Sequence, residues 1–323
     1  MEIGTGTGYV PVLVEREMFM RKRLVYRADD IGYTQTFDVG AFQGMDEGIV
    51  TSADVMFDSP HTREALQWLK ERPWISVGWH RHLWESPVAD KTLVMHMVDE
   101  EGRFVWRHNH QELMNEVPYE EAYTEFKAEM ALCHDVLGRY PDTCQVQPEA
   151  KNELEQAFKD VCAECGINMN VVRMGTQNSA FSHLNYHGWI VHADNSIMSS
   201  EEIMKKRGMV RKPLNKNELY DLANFKNYDA VKNIQTITWE DDSEIFMTGG
   251  HPGYLDEHIY QESTCTIHRL EELRCAISPE VKQWIIDNQI ELVNQRDVIY
   301  GTNEYQDHLK EINSPLWVGN MKG

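Results

Sequence analysis

Short apolar runs alternate with amphipathic stretches from residue 23 onward. Leu24 to Ala28 reads as a buried strand that ends in two acids, Asp29 and Asp30. Apolar positions then recur at helical spacing from Thr36 to Glu47, with Gly48 placed as the C-terminal cap. The same alternation continues. Thr51 to Phe57 is a strand, Thr62 to Glu71 a helix with Ala65, Leu66 and Leu69 on one face, and Ile75 to Trp79 a third strand ending in His80. A long helix follows over Tyr119 to Leu137, closed by Gly138, then strand-like Thr143 to Val146, the helix Glu153 to Glu164, and Asn168 to Arg173. Residues 176–235 have weak periodicity and many polar positions. Beyond them Ile245 to Thr248 is a strand, Ile267 to Ala276 and Pro279 to Asp287 are helices, and Ile290 to Val293 is a last strand. Such β-α alternation predicts a parallel sheet with right-handed crossovers, open or closed into a barrel. No repeat, low-complexity tract or linker divides the chain, so one α/β domain is expected.

Composition narrows the partners. The 323 residues are 41% hydrophobic, enough for a large core, and 31 Lys plus Arg stand against 52 Asp plus Glu, a formal charge of −21. That field repels a phosphate backbone, and no basic run offsets it; nucleic acid and anionic membrane are excluded as expected partners. Neutral substrates, cations and metal ions suit it. No stretch approaches the roughly 20 apolar residues that cross a bilayer, and the N-terminus lacks an uninterrupted apolar segment of the secretory kind. Six cysteines scattered at 133, 144, 162, 165, 265 and 275 are too dilute for a disulfide scaffold, so a reducing cytoplasm is expected. Cys162 and Cys165 form a C-x-x-C without a second pair; small residues on a helix explain it better than a zinc site.

The candidate chemistry lies where polar residues close strands. In parallel α/β folds, active sites collect at the carboxyl ends of the strands. Asp29-Asp30 closes the first strand, His80-Arg81-His82 the third, and His251-Pro252-Gly253 follows Ile245 to Thr248. An acid pair alone is usually a turn or cap, and a lone H-P-G a turn with a surface histidine. Three such clusters at equivalent strand ends instead converge on one cleft. Carboxylate plus imidazole is a normal shell for a divalent metal, with a second carboxylate available as a base.

Several segments resemble one family. Arg27-Ala-Asp-Asp-Ile-Gly-Tyr33 is similar to the N-A-D-D-F-G opening of the YdjC-type carbohydrate deacetylases, and Gly48-Ile-Val-Thr-Ser52 to their G-x-V-T-S. Val77-Gly-Trp-His-Arg-His-Leu83 resembles G-L-H-L-N-L, Asp99-Glu-Glu-Gly-Arg-Phe104 resembles D-x-x-G-x-F, and Thr248-Gly-Gly-His-Pro-Gly-Tyr254 the M-x-H-P-G region. Arg269-Leu-Glu-Glu-Leu273 and Ser278-Pro-Glu-Val281 match the closing helices, with Gly138-Arg139, Pro141 and Val172-Arg173 as landmarks between. The resemblance implies an irregular, TIM-like seven-stranded (β/α) barrel over residues 23–300, after an N-terminal extension of 1–22. A tail of 301–323 is expected to pack on the barrel. It further implies hydrolysis of an acyl group, an N-acetyl in the family, from a sugar or glycoside-like substrate. One divalent ion, Mg or Zn, is implied as cofactor. Carried over by position, Asp29 is the base, Asp30 and His80 are metal ligands, His251 is the catalytic group across the cleft, and Arg173 contacts substrate or buttresses Asp29. A homodimer is left open.

One segment departs from the pattern. Where the family has P-T-H-x-D-S-H-Q-H, this chain reads Pro141-Asp-Thr-Cys-Gln-Val-Gln-Pro-Glu149. The family's ligand histidine falls on Gln147, a weaker donor than imidazole. Gln147 through its carbonyl, Glu149, or His82 is therefore the third ligand; His82 otherwise binds substrate, as does Trp84. Trp79, Trp84, Trp106, Trp189 and Tyr254 are further candidates to stack on a sugar ring, though several of the nine tryptophans must be core. The rival reading is a diverged homologue with altered or lost metal, cleaving a different C–O or C–N bond or only binding a ligand.

Overall fold

The first strand dictates the arrangement around it. In a computed structural model, described for residues 22–105, 111–144, 150–168, 188–191, 197–198, 228–237, 239, 245–263 and 265–321, β1 spans Arg23–Ile31 and is buried along nearly its whole length. A strand buried on both faces reads as a continuous apolar run, as this one does at its start. It pairs in parallel with β2 (Ser52–Val55) on one edge and with β7 (Ile245–Gly250) on the other. The sheet order is β4 (Thr143–Cys144), β3 (Ser76–Trp79), β2, β1, β7, β5 (Gly188–Val191), β6 (Ile197–Met198). The short β8 (Glu291–Leu292) pairs with the start of β1, at Arg23 and Leu24, below the point where β2 takes over at Arg27.

The helices follow from the amphipathic stretches. α1 (Gln35–Asp46) starts at Thr34, whose side chain accepts from the Phe37 N–H. α2 (Thr62–Lys70) links β2 to β3, α3 (Tyr119–Leu137) links β3 to β4, and α4 (Glu153–Glu164) follows β4. Later come α5 (Ala230–Ile234), α6 (Glu257–Glu262), α7 (His268–Ile277), α8 (Pro279–Asp287), α9 (Gln295–Tyr300) and α10 (Glu304–Glu311). Gly138 closes α3 in the left-handed conformation, as expected. Gly48 does not cap α1 in that way; the helix ends at Glu47 in ordinary right-handed geometry, and a Cβ at 48 would strike the carbonyl of Ala276.

Side-chain alternation on β1 separates two faces. Leu24, Tyr26 and Ala28 join the large core under the helices, together with Ala53, Val77, Trp79, Phe126 and Phe158. Val25, Arg27 and Asp29 take the other, inner face, where Val25 packs with Ile245, Met247, Val293 and Val298. The inner face is apolar at its base and ionic towards the carboxyl ends, which is where the site lies.

The antiparallel pairing of β5 with β7 and β6 departs from the all-parallel expectation. Among the described residues no pairing joins β6 to β4, so they form a curled, mainly parallel sheet with helices rather than a closed seven-stranded barrel. The Asn168 to Arg173 strand is described only at Asn168, which bridges Thr143.

Candidate active site

The acids at the end of β1 are aimed by a break in the strand. The β1–β2 register shifts between Ala28 and Ile31, and Asp30 adopts a positive φ of 63°. A bulge of this kind lets two adjacent side chains serve the same end of a sheet, which strict alternation forbids. The left-handed backbone costs about 1–2 kcal/mol for a residue with a Cβ and is met mostly where function holds it.

Asp29 is held by Arg27, two residues earlier on the same face. Arg27 Nε and Nη2 donate to its two carboxylate oxygens at 2.6 and 2.8 Å, and Nη1 lies 3.0 Å from Asp54 on β2. All three side chains are buried. Burial opposes ionisation of Asp29, but Arg27, with His80 and His251 beyond it, holds the carboxyl below the usual range. Asp54 lacks comparable support, and burial pushes it up to about 6.

Asp30 faces the cleft. Its Oδ1 is 3.0 Å from His80 Nε2, its Oδ2 accepts from Arg269 Nη2 at 2.7 Å, and His251 Nε2 lies 3.9 Å from Oδ2. Against burial, His251, Arg269 and His80 keep this carboxyl well below the ordinary value. Burial would lower the histidines, yet Asp30, Asp29 and Asp54 raise His80, while Cys265, Asp30 and Glu272 raise His251 well above 6.5. Glu272 is brought down to about 2, against burial, by His251 and Tyr228.

The second histidine of the β3 cluster is tied elsewhere. His82 Nδ1 is 3.5 Å from the buried Asp58, a carboxylate that accepts from the backbone N–H groups of Trp84 and Glu85 at 2.5 and 2.9 Å. Leu83, with φ 54°, turns the chain between them. The His82 ring stands 5.8 Å from Tyr33, 6.3 Å from His80 and 6.0 Å from Trp84, so His82 and Trp84 sit in one group of rings with His80. Trp79 does not. It is fully buried, its indole N–H donates to Glu129 at 2.6 Å, and its ring packs on Phe126 and Phe158. Tyr254 is partly exposed and donates to Gln43. Gln147, Glu149, Arg173 and Trp106, and the side chain of Trp189, lie outside the described residues. Arg27 is a buttress of Asp29 that the motifs did not mark. Period 2 on one strand could have revealed it, just as the three-residue spacing of Arg269 and Glu272 on a helix puts both on one face.

Asp30 and His80 offer one carboxylate and one imidazole on the cleft side. Among the described residues no set of three or more His, Cys, Asp or Glu is arranged to hold a metal ion. The charge of the floor speaks to the fit: Asp29 and Asp54 face the guanidinium of Arg27, Asp30 faces that of Arg269, and Glu272 lies against His251. The remaining deficit of positive charge is one that two imidazoliums, or one divalent cation, would offset. Asp30 and His80 suit such an ion as two of its donors, and the described residues do not complete its shell.

The sequence profile of the YdjC-like protein family matches residues 23–287, the span that carries every one of these groups. The chain belongs to the YdjC-like family. Among YdjC-like relatives, carbohydrate deacetylase 2 of Listeria innocua is 26% identical over 283 residues, covering 85% of this chain and 98% of its own length. The carbohydrate deacetylase of Clostridium beijerinckii is 26% identical over 278 residues, covering 85% and 100%. The YdjC-like fold also resembles a crystal structure from Enterococcus faecalis V583, titled as a cellobiose-phosphate cleavage protein. The TM-score is 0.56, at 20% identity, over 86% of this chain and 99% of that one. No helix among the described residues is long and apolar enough to cross a membrane.

Proposed function

We propose that this YdjC-like chain is a metal-dependent hydrolase that removes an acetyl or related acyl group from an amino sugar or glycoside. The observation that carries the reading is the meeting of Asp30 with His80 and His251, from three separate strand ends, beside a buried Asp29. The names of the relatives support a carbohydrate amide as substrate. Asp30 and His80 would hold a divalent ion, Mg or Zn, with Gln147, Glu149 or His82 completing its shell. Such an ion supplies Lewis-acid polarisation and lowers the pKa of water. Asp29 takes the proton of the attacking water, and Arg27 keeps it ionised and fixed. His251 gives a proton to the departing nitrogen from the opposite side, while His82 and Trp84 border the sugar. We further propose that the chain as a whole has the irregular seven-stranded barrel that its family resemblance implies.

The test is acetate release from N-acetylated chito-oligosaccharides and acylated glycosides, with metal content measured in parallel. A bell-shaped pH dependence of kcat/KM is expected. Its acid limb should lie below about pH 4, because Asp29 is held under the ordinary carboxylate value, and its alkaline limb above about pH 6.5, because His251 is raised. Asp29→Asn should remove the acid limb and most activity; near-normal turnover in that variant would refute the scheme.

A second reading has its own observation. Both acids are already paired with buried arginines, Asp29 with Arg27 and Asp30 with Arg269, and the third-ligand position reads Gln147. A site compensated in this way could act with an altered or absent metal. Activity that survives exhaustive chelation would favour it.

A further inference from the structure

We propose that Glu272 is the positioning residue of His251, fixing the ring proton on Nδ1 so that Nε2 faces Asp30 and the cleft. The inference rests on the acid role given to His251 above. It starts from the end of β7, where the backbone N–H of His251 donates to Glu272 Oε2 at 2.5 Å and the ring Nδ1 lies 3.5 Å from the same oxygen. The other oxygen, Oε1, accepts from the Tyr228 hydroxyl at 2.9 Å. The carboxylate is nearly inaccessible and is clamped from two elements besides its own helix. Gly250 makes room for it: a Cβ there would come within 2.7 Å of Oε2. The two glycines before His251 thus include one that the carboxylate itself requires.

Nδ1 has a rival partner. The thiol of Cys265 is 3.7 Å away. The two neighbours demand opposite tautomers. A carboxylate only accepts, so Glu272 requires a proton on Nδ1; a thiol that donates requires Nδ1 bare and sends the proton to Nε2, towards Asp30. A charged acceptor outweighs a weak S–H donor, and both contacts are long enough to tighten together in the working complex. A carboxylate behind a histidine commonly sets which nitrogen faces the chemistry.

Histidine-selective 15N labelling of the full chain reads the tautomer directly, at a pH where the ring is neutral, with His251 assigned by the signal lost in His251→Gln. The expected result is a proton on Nδ1. A neutral ring protonated on Nε2 would overturn the proposal. Glu272→Gln should move the proton towards Nε2 and lower kcat about 10–100-fold, with KM changed by less than about twofold. An unchanged tautomer with unchanged kcat would also overturn it. Cys265→Ala should leave the proton on Nδ1; its loss would transfer the role to the thiol and end the proposal for Glu272. If Glu272→Gln does not fold, the wild-type and Cys265→Ala spectra still decide. Since the spectra need no turnover, a protein that cleaves no acylated sugar refutes the proposed function without touching this assignment.

Discussion

Arg27 is the residue on which the inner face depends. Its guanidinium spans Asp29 and Asp54, all three deeply buried, so neither carboxylate has bulk solvent to fall back on. Removing one partner of a buried ion cluster leaves charge uncompensated, which costs about 3–5 kcal/mol. Arg27→Met should lose about that much stability in urea unfolding, whereas Arg27→Lys, keeping the charge but not the fork, should lose less. A Met variant as stable as the wild type would show that the cluster is solvated after all. For the cleft itself, Asp30→Asn and His80→Ala should each abolish binding of a divalent ion in titration calorimetry while the fold persists. Full occupancy in either variant would place the ion elsewhere.

Among the elements, α3 carries an unusual load. Glu125 and Glu129, one turn apart, are both buried beside Asp58. Glu125 accepts from the backbone N–H groups of Val88 and Ala89 at 2.8 and 2.9 Å, and Glu129 from Trp79. Burial pushes Glu125 up to about 7 and Glu129 well above its ordinary value. A carboxyl whose folded pKa is raised binds more protons folded than unfolded. Its contribution is therefore fully present at low pH and is lost as pH rises from about 4.3 through about 7. The melting temperature should fall over that window, and Glu129→Gln should flatten the fall and gain about 1–2 kcal/mol at pH 8. A wild-type curve that is level over the window would contradict this. The same helix shows what a sequence discloses. Its length, spacing and Gly138 stop are local, so its ends are legible. That its Glu129 receives the indole of Trp79 is not, because the partner lies fifty residues away on a strand. Likewise the strand-end acids and imidazoles were readable from their positions after apolar runs, and Arg27 from its place two residues before Asp29, while Arg269 and Glu272 acquire meaning only once β1, β7 and α7 are side by side. The antiparallel β5–β6 pair lies in the stretch of weak periodicity, where no pattern announces it.

At the scale of the molecule, the C-terminal segment is part of the core. Tyr305 and Leu309 of α10, with Leu316 and Met321, are buried in the main cluster, and His308 stacks on Trp74 at 3.7 Å. Each such side chain contributes about 1.5–3 kcal/mol, so the four together rival the total stability of a domain, about 5–15 kcal/mol. A chain ending at residue 301 should not unfold cooperatively in a thermal melt followed by circular dichroism; a normal transition would make the segment dispensable. The pairing of β1 has a temporal side. This strand is made first, yet its partners β7 and β8 are residues 245–250 and 291–292. At about 5–20 residues per second, the ribosome needs roughly 13–50 s to deliver the last of them after β1 has emerged. Until β7 is made, one edge of the nascent strand is bare, with the two acids at its tip and neither His251 nor Arg269 yet synthesised. Closing so long a loop is slow and leaves the edge open to wrong partners. The cleft is thus completed only once residues 251–272 have been made, and its earliest residues wait the longest for it.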